Sequence, residues 1–435
     1  VHMIRKKRMG KGIAKILSGL LVFGMVAGLV PAVPGGTVNA KATEINGQNA
    51  TAEPHTHCVC GTGNLSVERH THKEETWTGI SKLSDINREG NYYLTQDVTL
   101  TSAWTCQRNV NLCLNGHSIT RTAKEYYDQN GNNAVIIIKN NVDFTLTDCK
   151  GTGTITHKQG VSGEGVYNDG RFFMYNGIIF GNNGGVKNPG MFFMYGGTIT
   201  SNTANNGGGV DNAGTFTMDG GTITSNTANN GGGVYNDNAG RFIMYGGTIT
   251  GNKAEQTYGT EYGGGVYNQG TFNMYGGEIT NNTATVGGGG VFNKGTFTMS
   301  GGEITSNSSE SYGGGVCYSS SQLFKMSGTV NITENKVGTT PNNLYLWNGQ
   351  QVSASGLTSG AEIGVTTQIV PINDSSVPIT SDSVSVNCFS SDKSDYETAI
   401  DENSKVVLKT KTAVEAPSIT KQPQPVSVKV GETAT

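Results

Sequence analysis

Short runs of alternating apolar and polar residues recur along most of this chain. In Thr215-Phe216-Thr217-Met218, apolar and polar side chains alternate with a period of two, which predicts a strand with one buried face. The Ile of "TIT" and the Val of "GGGV" are predicted to point into the same interior. Glycines and asparagines separate these three short strands, at places where tight turns need a positive φ. We therefore predict that about 25 residues form one three-stranded coil of a parallel β-helix.

The apolar positions repeat at a nearly fixed interval. Valines of the "GGV" or "GGGV" element are spaced by 20 to 32 residues, as expected for a solenoid. The longest interval contains "AEQTYGTEY", which we interpret as a loop inserted at one turn. These valines are Val166, Val186, Val210, Val234, Val266, Val291 and Val316.

Stacking of coils predicts columns of equivalent side chains. We predict buried stacks of Phe173, Phe193, Phe216, Phe242, Phe272, Phe297 and Phe324, of Met174, Met194, Met218, Met244, Met274, Met299 and Met326, and of Ile199, Ile223, Ile249, Ile279 and Ile304. Amides that recur after "TIT" are predicted to form a structural ladder, because stacked side-chain amides can bond along the strand spacing. They are Asn202, Asn226, Asn252, Asn282 and Asn307.

The fold class predicted for the whole chain is all-β, a right-handed single-stranded parallel β-helix of about ten coils. The predicted organisation is an export signal (1–40), a Cys- and His-containing segment and cap (41–90), the helix repeats (91–345), a closing β section (346–412), and a linker with the start of an immunoglobulin-like domain (413–435). The last range is too short to close the sheets of such a domain, so further domains of that kind are expected in the full protein.

The first residues favour export. The basic stretch "MIRKKRMGKGIAK" precedes an apolar run from Ile16 to Val30 and then small residues, with a cut expected after Ala40 or, alternatively, Ala32. The apolar run is too short for a membrane anchor. A net charge of −3 with no basic stripe argues against a nucleic-acid partner, and seven cysteines in 435 residues are too few for a disulfide scaffold.

The motifs "GGTIT", "GGGVYN" and F-x-M-Y-G-G resemble those of secreted right-handed β-helix repeat surface proteins of Gram-positive, often gut, bacteria. They are also similar to the repeats of chlamydial polymorphic outer-membrane proteins. This resemblance implies a pectin-lyase-like solenoid, export and a surface or adhesin role, and brings no catalytic residues with it. We expect a cell-surface location through a part not included here.

The segment "HTHCVCGTGNLSVERHTHK" concentrates metal-binding residue types. Two thiolates and two imidazoles would close a tetrahedral zinc site, for which the candidates are Cys58, Cys60, His70 and His72. The Cys-x-Cys spacing departs from the usual pattern, so a disulfide between these cysteines or with Cys106, and a solvated segment, stay open as alternatives. Four further cysteines are considered separately: Cys113 and Cys149 are free to pair with Cys106, whereas Cys317 and Cys388 are expected to be buried small apolar residues.

Catalysis is the less favoured interpretation. Glu278 and Glu303 are the stacked carboxylates of two "GGEIT" strands, but no Lys, Arg or His occupies their row. Asp211 has Lys187 at the equivalent position of the neighbouring coil, and we identify no carboxylate cluster around that pair. A polysaccharide lyase or glycoside hydrolase is therefore the alternative function.

Two rows of aromatic residues are the preferred binding candidates. Tyrosines that follow the inward Met or Val are expected to face solvent, where they can stack on sugar rings or on a protein partner, or simply on one another. The candidates are Tyr175, Tyr195, Tyr245, Tyr275, Tyr235 and Tyr267, and Tyr167 and Phe292 share the second row. We predict a non-catalytic binding rod for host or neighbouring-cell glycans or proteins.

Overall fold

The chain forms a parallel β-helix. A computed structural model describes residues 55–61, 73–123, 133–255, 262–373, 375–384, 388–412 and 429–431. Each coil contributes strands that pair in parallel with the coils before and after it, through three sheets that wrap one continuous apolar core. The predicted fold class is confirmed. The predicted export signal and nearly all of the predicted immunoglobulin-like start lie outside the described residues.

We name the three sheets after their buried residues. The strands of the valine sheet are Trp104–Cys106, Ile136–Ile138, Val166–Asn168, Val186–Asn188, Val210–Asn212, Val234–Asn236, Val266–Asn268, Val291–Asn293, Val316–Tyr318 and Leu344–Leu346. The phenylalanine sheet contains Thr78–Ile80, Gly90–Leu94, Val110–Cys113, Asp143–Thr147, Arg171–Met174, Met191–Met194, Thr215–Met218, Arg241–Met244, Thr271–Met274 and Val352–Leu357. The isoleucine sheet contains Val98–Leu100, Ile119–Arg121, Thr154–His157, Ile178–Phe180, Thr198–Thr200, Thr222–Thr224, Thr248–Thr250 and Glu278–Thr280.

Several strands connect or close these sheets. Two long strands, Thr296–Thr305 and Phe324–Thr333, run through both the phenylalanine and the isoleucine sheets. The strand Glu362–Thr367 pairs with the isoleucine and valine sheets, and Phe389–Ser391 pairs with Glu362–Thr367. The remaining parts are the antiparallel pair Thr56–His57 and Glu75–Thr76, the antiparallel sheet of Ser376–Pro378, Tyr396–Ile400 and Val406–Thr410, and the 3₁₀ turns Leu83–Asp85 and Trp347–Gly349. Among the described residues, no helix is long and apolar enough to cross a membrane.

A fourth sheet was not predicted. It begins after "TIT" in successive coils and is formed by Thr203–Asn206, Thr227–Asn230, Lys253–Ala254, Thr283–Ala284, Ser308–Ser309, Lys336–Val337 and Thr340–Pro341. We call it the alanine sheet, after Ala228, Ala254 and Ala284, which are buried. A coil in this part of the chain therefore has four strands rather than three.

The buried stacks confirm most of the predicted core. The Met, Ile and Val residues assigned to it are all buried and are register partners between coils. The prediction was wrong for Phe173 and Phe193, because Phe172 and Phe192 are the buried rings that continue to Phe216. Consecutive rings in this stack lie nearly parallel, with centroids 4.8 Å apart for Phe172 and Phe192.

Two ladders of buried asparagines run beside the core. In the predicted ladder, each Nδ2 donates to the Oδ1 of the next coil at 2.9 to 3.1 Å, and it includes Asn182, Asn202, Asn226, Asn252, Asn282, Asn307, Asn335 and Asn343. The second ladder was not predicted and comes from the Asn that ends each V-x-N strand, with Nδ2–Oδ1 distances of 2.6 or 2.7 Å. Its members are Asn168, Asn188, Asn212, Asn236, Asn268 and Asn293.

Candidate functional site

The outer face of the valine sheet carries one row of side chains whose chemistry changes along the helix. The row consists of the middle residues of the V-x-N strands and their equivalents: Tyr167, Lys187, Asp211, Tyr235, Tyr267, Phe292, Cys317 and Tyr345. Lys187 and Asp211 interrupt the row with charged side chains, because their coils have "VKN" and "VDN" in place of "VYN" or "VFN"; the other members are aromatic except Cys317.

A polar groove opens at this interruption. It has a volume of about 510 Å³ and is lined by Glu164, Lys187 and Asp211, together with Asn183, Asn205, Asn206 and Asn229. The alanine sheet and the valine sheet both contribute lining residues. At Gly207, which has φ +58°, a Cβ atom would lie 2.3 Å from the Val210 carbonyl oxygen and 2.6 Å from the Asp211 Cα. Only glycine therefore lets the chain return from the alanine sheet so closely over Asp211.

The groove holds two carboxyl groups whose pKa values are shifted upward. Burial raises the pKa of Asp211 to about 6, although the positive charge of Lys187 opposes the shift. Burial also raises the pKa of Glu164, again against the attraction of Lys187. Lys187 lines the groove, is exposed, and forms no ion pair within 4.0 Å among the described residues. The coil-spanning group of carboxylates with a lysine, which sequence reasoning did not find, is thus present here.

The first tyrosine row is discontinuous. Tyr175 stacks on Tyr195 and Tyr245 stacks on Tyr275, with ring centroids 4.8 and 5.1 Å apart. Asp219 occupies the position between the two pairs, since it follows Met218 as the tyrosines follow their own methionines. Tyr245 and Tyr275 are 42% and 47% exposed, as expected, whereas the first pair is half-buried. A ligand that follows this row meets two separate ring pairs.

The second tyrosine row lies on the outer face of the valine sheet but is partly covered by other side chains. Tyr267 and Phe292 are only 4% and 3% exposed, so the expectation that they face solvent is wrong. They form a separate apolar cluster with Cys317 and Tyr345, against which Tyr312 and Trp347 pack. Tyr235 is half-buried at the groove end of this cluster, stacks on Tyr267 at 5.4 Å and donates its hydroxyl to Gln269 Oε1 at 2.9 Å. Its binding role stays a prediction.

Glu278 and Glu303 are register partners on neighbouring coils, as predicted, and both are exposed. Thr248 precedes them in the row and Asn331 follows. No cation occupies these row positions, so the pair offers solvated carboxylates without a partner group for catalysis.

The N-terminal segment brings together a different set of metal-binding side chains from the one predicted. The ligand atoms of His55, His57, Cys113 and Cys149 all lie within 4.8 Å of one another. Cys58 and Cys60 are not in this group, and their Sγ atoms are 3.1 Å apart. The predicted ligands His70 and His72 lie outside the described residues.

The other cysteines are distributed along the core. Cys106 is buried with its Sγ 3.2 Å from the Arg108 carbonyl oxygen, and burial raises the pKa of its thiol to about 11. Cys317 and Cys388 are buried, which confirms their expected position.

The comparisons with known proteins identify no relative, since no family model, no curated protein and no solved structure matches this chain.

Proposed function

We propose that this chain is a secreted, cell-surface binding rod that holds an extracellular glycan in the polar groove beside Lys187 and Asp211. The observation that carries this proposal is the composition of the groove wall. Carboxamides from the alanine sheet and charged groups from the valine sheet line the same groove, whose volume is about 510 Å³. Sugar hydroxyls both donate and accept, so they can use amide, carboxylate and ammonium groups together.

The fold supports an elongated ligand. Asn205 and Asn229 come from consecutive coils, as do Lys187 and Asp211, so polar groups repeat along the axis at the strand spacing of about 4.8 Å. Tyr235 follows Asp211 in the same row and bounds the polar stretch with an aromatic ring. A glycan that runs along the axis can thus meet polar groups and then a ring.

One observation favours the alternative of a polysaccharide lyase or glycoside hydrolase. Asp211 has its pKa raised to about 6 by burial and lies on the strand next to Lys187, with Glu164 in the same groove. A carboxyl group whose pKa is raised toward neutral can act as a general acid, and a carboxylate and an ammonium group can serve as base and charge stabiliser.

A glycan and mucin array tests both functions when it is scored for retention of the chain and for release of sugar products. We expect retention by the chain from residue 41 onward, a loss of at least about tenfold in Lys187→Ala combined with Asn205→Ala, and unchanged retention in Glu278→Gln. Loss only in Tyr245→Ala with Tyr275→Ala would move the site to the first tyrosine row.

Product analysis separates binding from cleavage. New reducing ends or unsaturated sugars that disappear in Asp211→Asn would establish the enzymatic alternative. A chain that retains no glycan or mucin on the array, although circular dichroism shows it folded, would contradict the binding function.

A further inference from the structure

We infer that His55, His57, Cys113 and Cys149 form a structural zinc site that fastens the N-terminal segment to the first coils of the β-helix. This inference is independent of the proposed function. His55 and His57 flank the first residue of the short strand Thr56–His57, which lies outside the parallel stack. Cys113 ends a strand of the phenylalanine sheet, and Cys149 follows the next strand, whose Thr147 is the register partner of Cys113.

The distances between ligand atoms suit a tetrahedral ion. Zinc lies about 2.3 Å from sulfur and 2.0–2.1 Å from nitrogen, so its four ligand atoms are about 3.3–3.8 Å apart. The Sγ atoms of Cys113 and Cys149 are 3.6 Å apart, and Cys149 Sγ lies 3.9 Å from His55 Nε2. The widest separation is below 4.8 Å, so closure on the ion requires movements of about 1 Å or less.

His57 is held by a hydrogen bond at one ring nitrogen and buries the other beside the cysteines. Its side chain is 3% exposed, and Nδ1 donates to the Cys58 carbonyl oxygen at 2.5 Å. In the neutral imidazole this bond leaves the lone pair on Nε2, which is buried, and the His57 side chain interacts with that of Cys149. In a zinc-bound histidine, one ring nitrogen usually binds the metal while the N–H of the other donates a hydrogen bond that fixes the ring.

Aromatic packing holds both imidazoles in place. The His57 ring stacks on Trp77 at 4.5 Å, and Trp77 Nε1 donates to the His57 carbonyl oxygen at 3.0 Å. The His55 ring stacks on Tyr93 at 4.1 Å. Tyr93 belongs to the phenylalanine sheet, so this contact ties the segment to the first coils.

One of the two sulfur atoms accepts a backbone hydrogen bond. The backbone N–H of Cys149 donates to Cys113 Sγ at 3.5 Å, and such bonds stabilise a thiolate. Two thiolates balance one zinc dication, which makes a closed site at the mostly buried Cys113 electrostatically acceptable. Four protein ligands leave no open position, as in structural rather than catalytic sites.

Metal analysis of the reduced chain provides the direct test. The chain is treated with a phosphine reductant and a chelator, freed of both, and titrated with zinc, and the bound metal is measured by mass spectrometry. We expect one zinc ion per chain. With cobalt(II) as the probe, tetrahedral ligand-field bands and thiolate-to-cobalt charge transfer from two sulfurs should appear.

Variants then assign the ligands. Cys149→Ser and His57→Gln should each weaken zinc binding by more than about tenfold, since even the loss of a group that only orients a ligand costs about 10–100-fold. Cys58→Ser and Cys60→Ser are matched controls from the same segment and should retain the metal. Because a ligand variant can also fail to fold, the wild-type cobalt spectrum must show the two thiolates by itself.

Three results would overturn the inference. The reduced wild-type chain binds no zinc or cobalt; or the metal is lost in Cys58→Ser or Cys60→Ser and kept in Cys149→Ser; or peptide mapping of the chain secreted without reductant shows Cys113 and Cys149 joined as a disulfide.

Discussion

The side-chain amide of Asn343 donates to the carboxylate of Asp392 at 2.6 Å, and this bond ends the longer asparagine ladder. Every earlier Nδ2 in the ladder donates to the Oδ1 of the next asparagine, so the last amide needs a different acceptor at this position. A carboxylate only accepts, and Asp392 also accepts from the Asn343 backbone N–H at 2.8 Å and from the Thr366 hydroxyl at 2.9 Å. The ladder is therefore satisfied at its C-terminal end by a change of residue type.

The first prediction concerns an interior link of this ladder. Asn226 accepts from the backbone and side chain of Asn202, and donates to the Ile199 carbonyl oxygen and to Asn252. Asn226→Ala leaves several buried groups without partners, at about 1–3 kcal/mol each, so we expect the free energy of unfolding to fall by at least about 3 kcal/mol. Urea denaturation measures this loss. Asn238→Ala, at an exposed amide, is the control, and equal effects of the two changes would contradict a structural ladder.

A second prediction compares two phenylalanines adjacent in the chain. Phe172 is fully buried between Phe144 and Phe192, whereas Phe173 is half-buried and stacks on Phe193 outside the core. Phe172→Ala should lower the free energy of unfolding by about 3–5 kcal/mol, because it leaves a cavity in the core. For Phe173→Ala we expect about 1 kcal/mol, mainly from the lost ring contact. Thermal or urea unfolding measures the loss of unfolding free energy in both variants. A larger loss in Phe173→Ala than in Phe172→Ala would contradict the burial of Phe172 in the core.

The third prediction uses the pH dependence of stability. The pKa of Asp211 is about 6 in the folded chain because the carboxyl is buried, against 3.8 when it is unperturbed. Between these values the unfolded chain ionises more readily, so the free energy of unfolding should fall as pH rises from about 4 to 6. Asp211→Asn removes this fall and should be the more stable form at pH 7, by at most about 3 kcal/mol.

Urea unfolding of wild type and Asp211→Asn at several pH values measures this difference. Glu278→Gln, at an exposed carboxylate, serves as the control and should change the pH profile little. A difference between wild type and Asp211→Asn that is constant from pH 4 to pH 7 would show that the Asp211 carboxyl is not perturbed.

The fourth prediction separates stability from binding in the two tyrosine rows. Tyr267 is buried between Tyr235 and Phe292, so Tyr267→Ala should cost about 3–5 kcal/mol of unfolding free energy. Tyr245 is 42% exposed and has one stacking partner in its row, so Tyr245→Ala should cost at most about 1.5 kcal/mol. Denaturation and array retention are measured on both variants. Retention lost in Tyr245→Ala at unchanged stability would assign ligand contacts to the first row.

The repeated pattern was sufficient to predict the coil, but it did not lead to a correct prediction of which side of the strand every side chain occupies. Met174 is buried, and alternation places the residue two positions earlier, Phe172, on the same side. The F-x-M spacing of the other coils therefore contained the signal that distinguishes Phe172 from Phe173. The asparagine of V-x-N was equally regular, yet turn residues and ladder residues are indistinguishable by type alone, so the second ladder was missed.

The candidate sites depended on features that periodicity does not encode. The pairing of Lys187 with Asp211 follows from the repeat, but the depth of the groove depends on the alanine sheet and on the close turn at Gly207. The metal-binding group needed the alignment of two irregular coils, which places Cys113 beside Cys149 although 36 residues separate them. The nearest sequence neighbours, Cys58 and Cys60, were consequently preferred as ligands.

The uniform links of the asparagine ladder also bear on how genes for such chains can change. Asn252, Asn282 and Asn307 make the same bonds to the coils on either side. If residues 283–307 were removed, Asn335 would take the place of Asn307 and accept the hydrogen bond from Asn282. Recombination between repeats can therefore shorten or extend the chain in whole steps of about 4.8 Å. The groove and both ends are encoded outside the exchanged unit, and would be inherited unaltered by variants of different length.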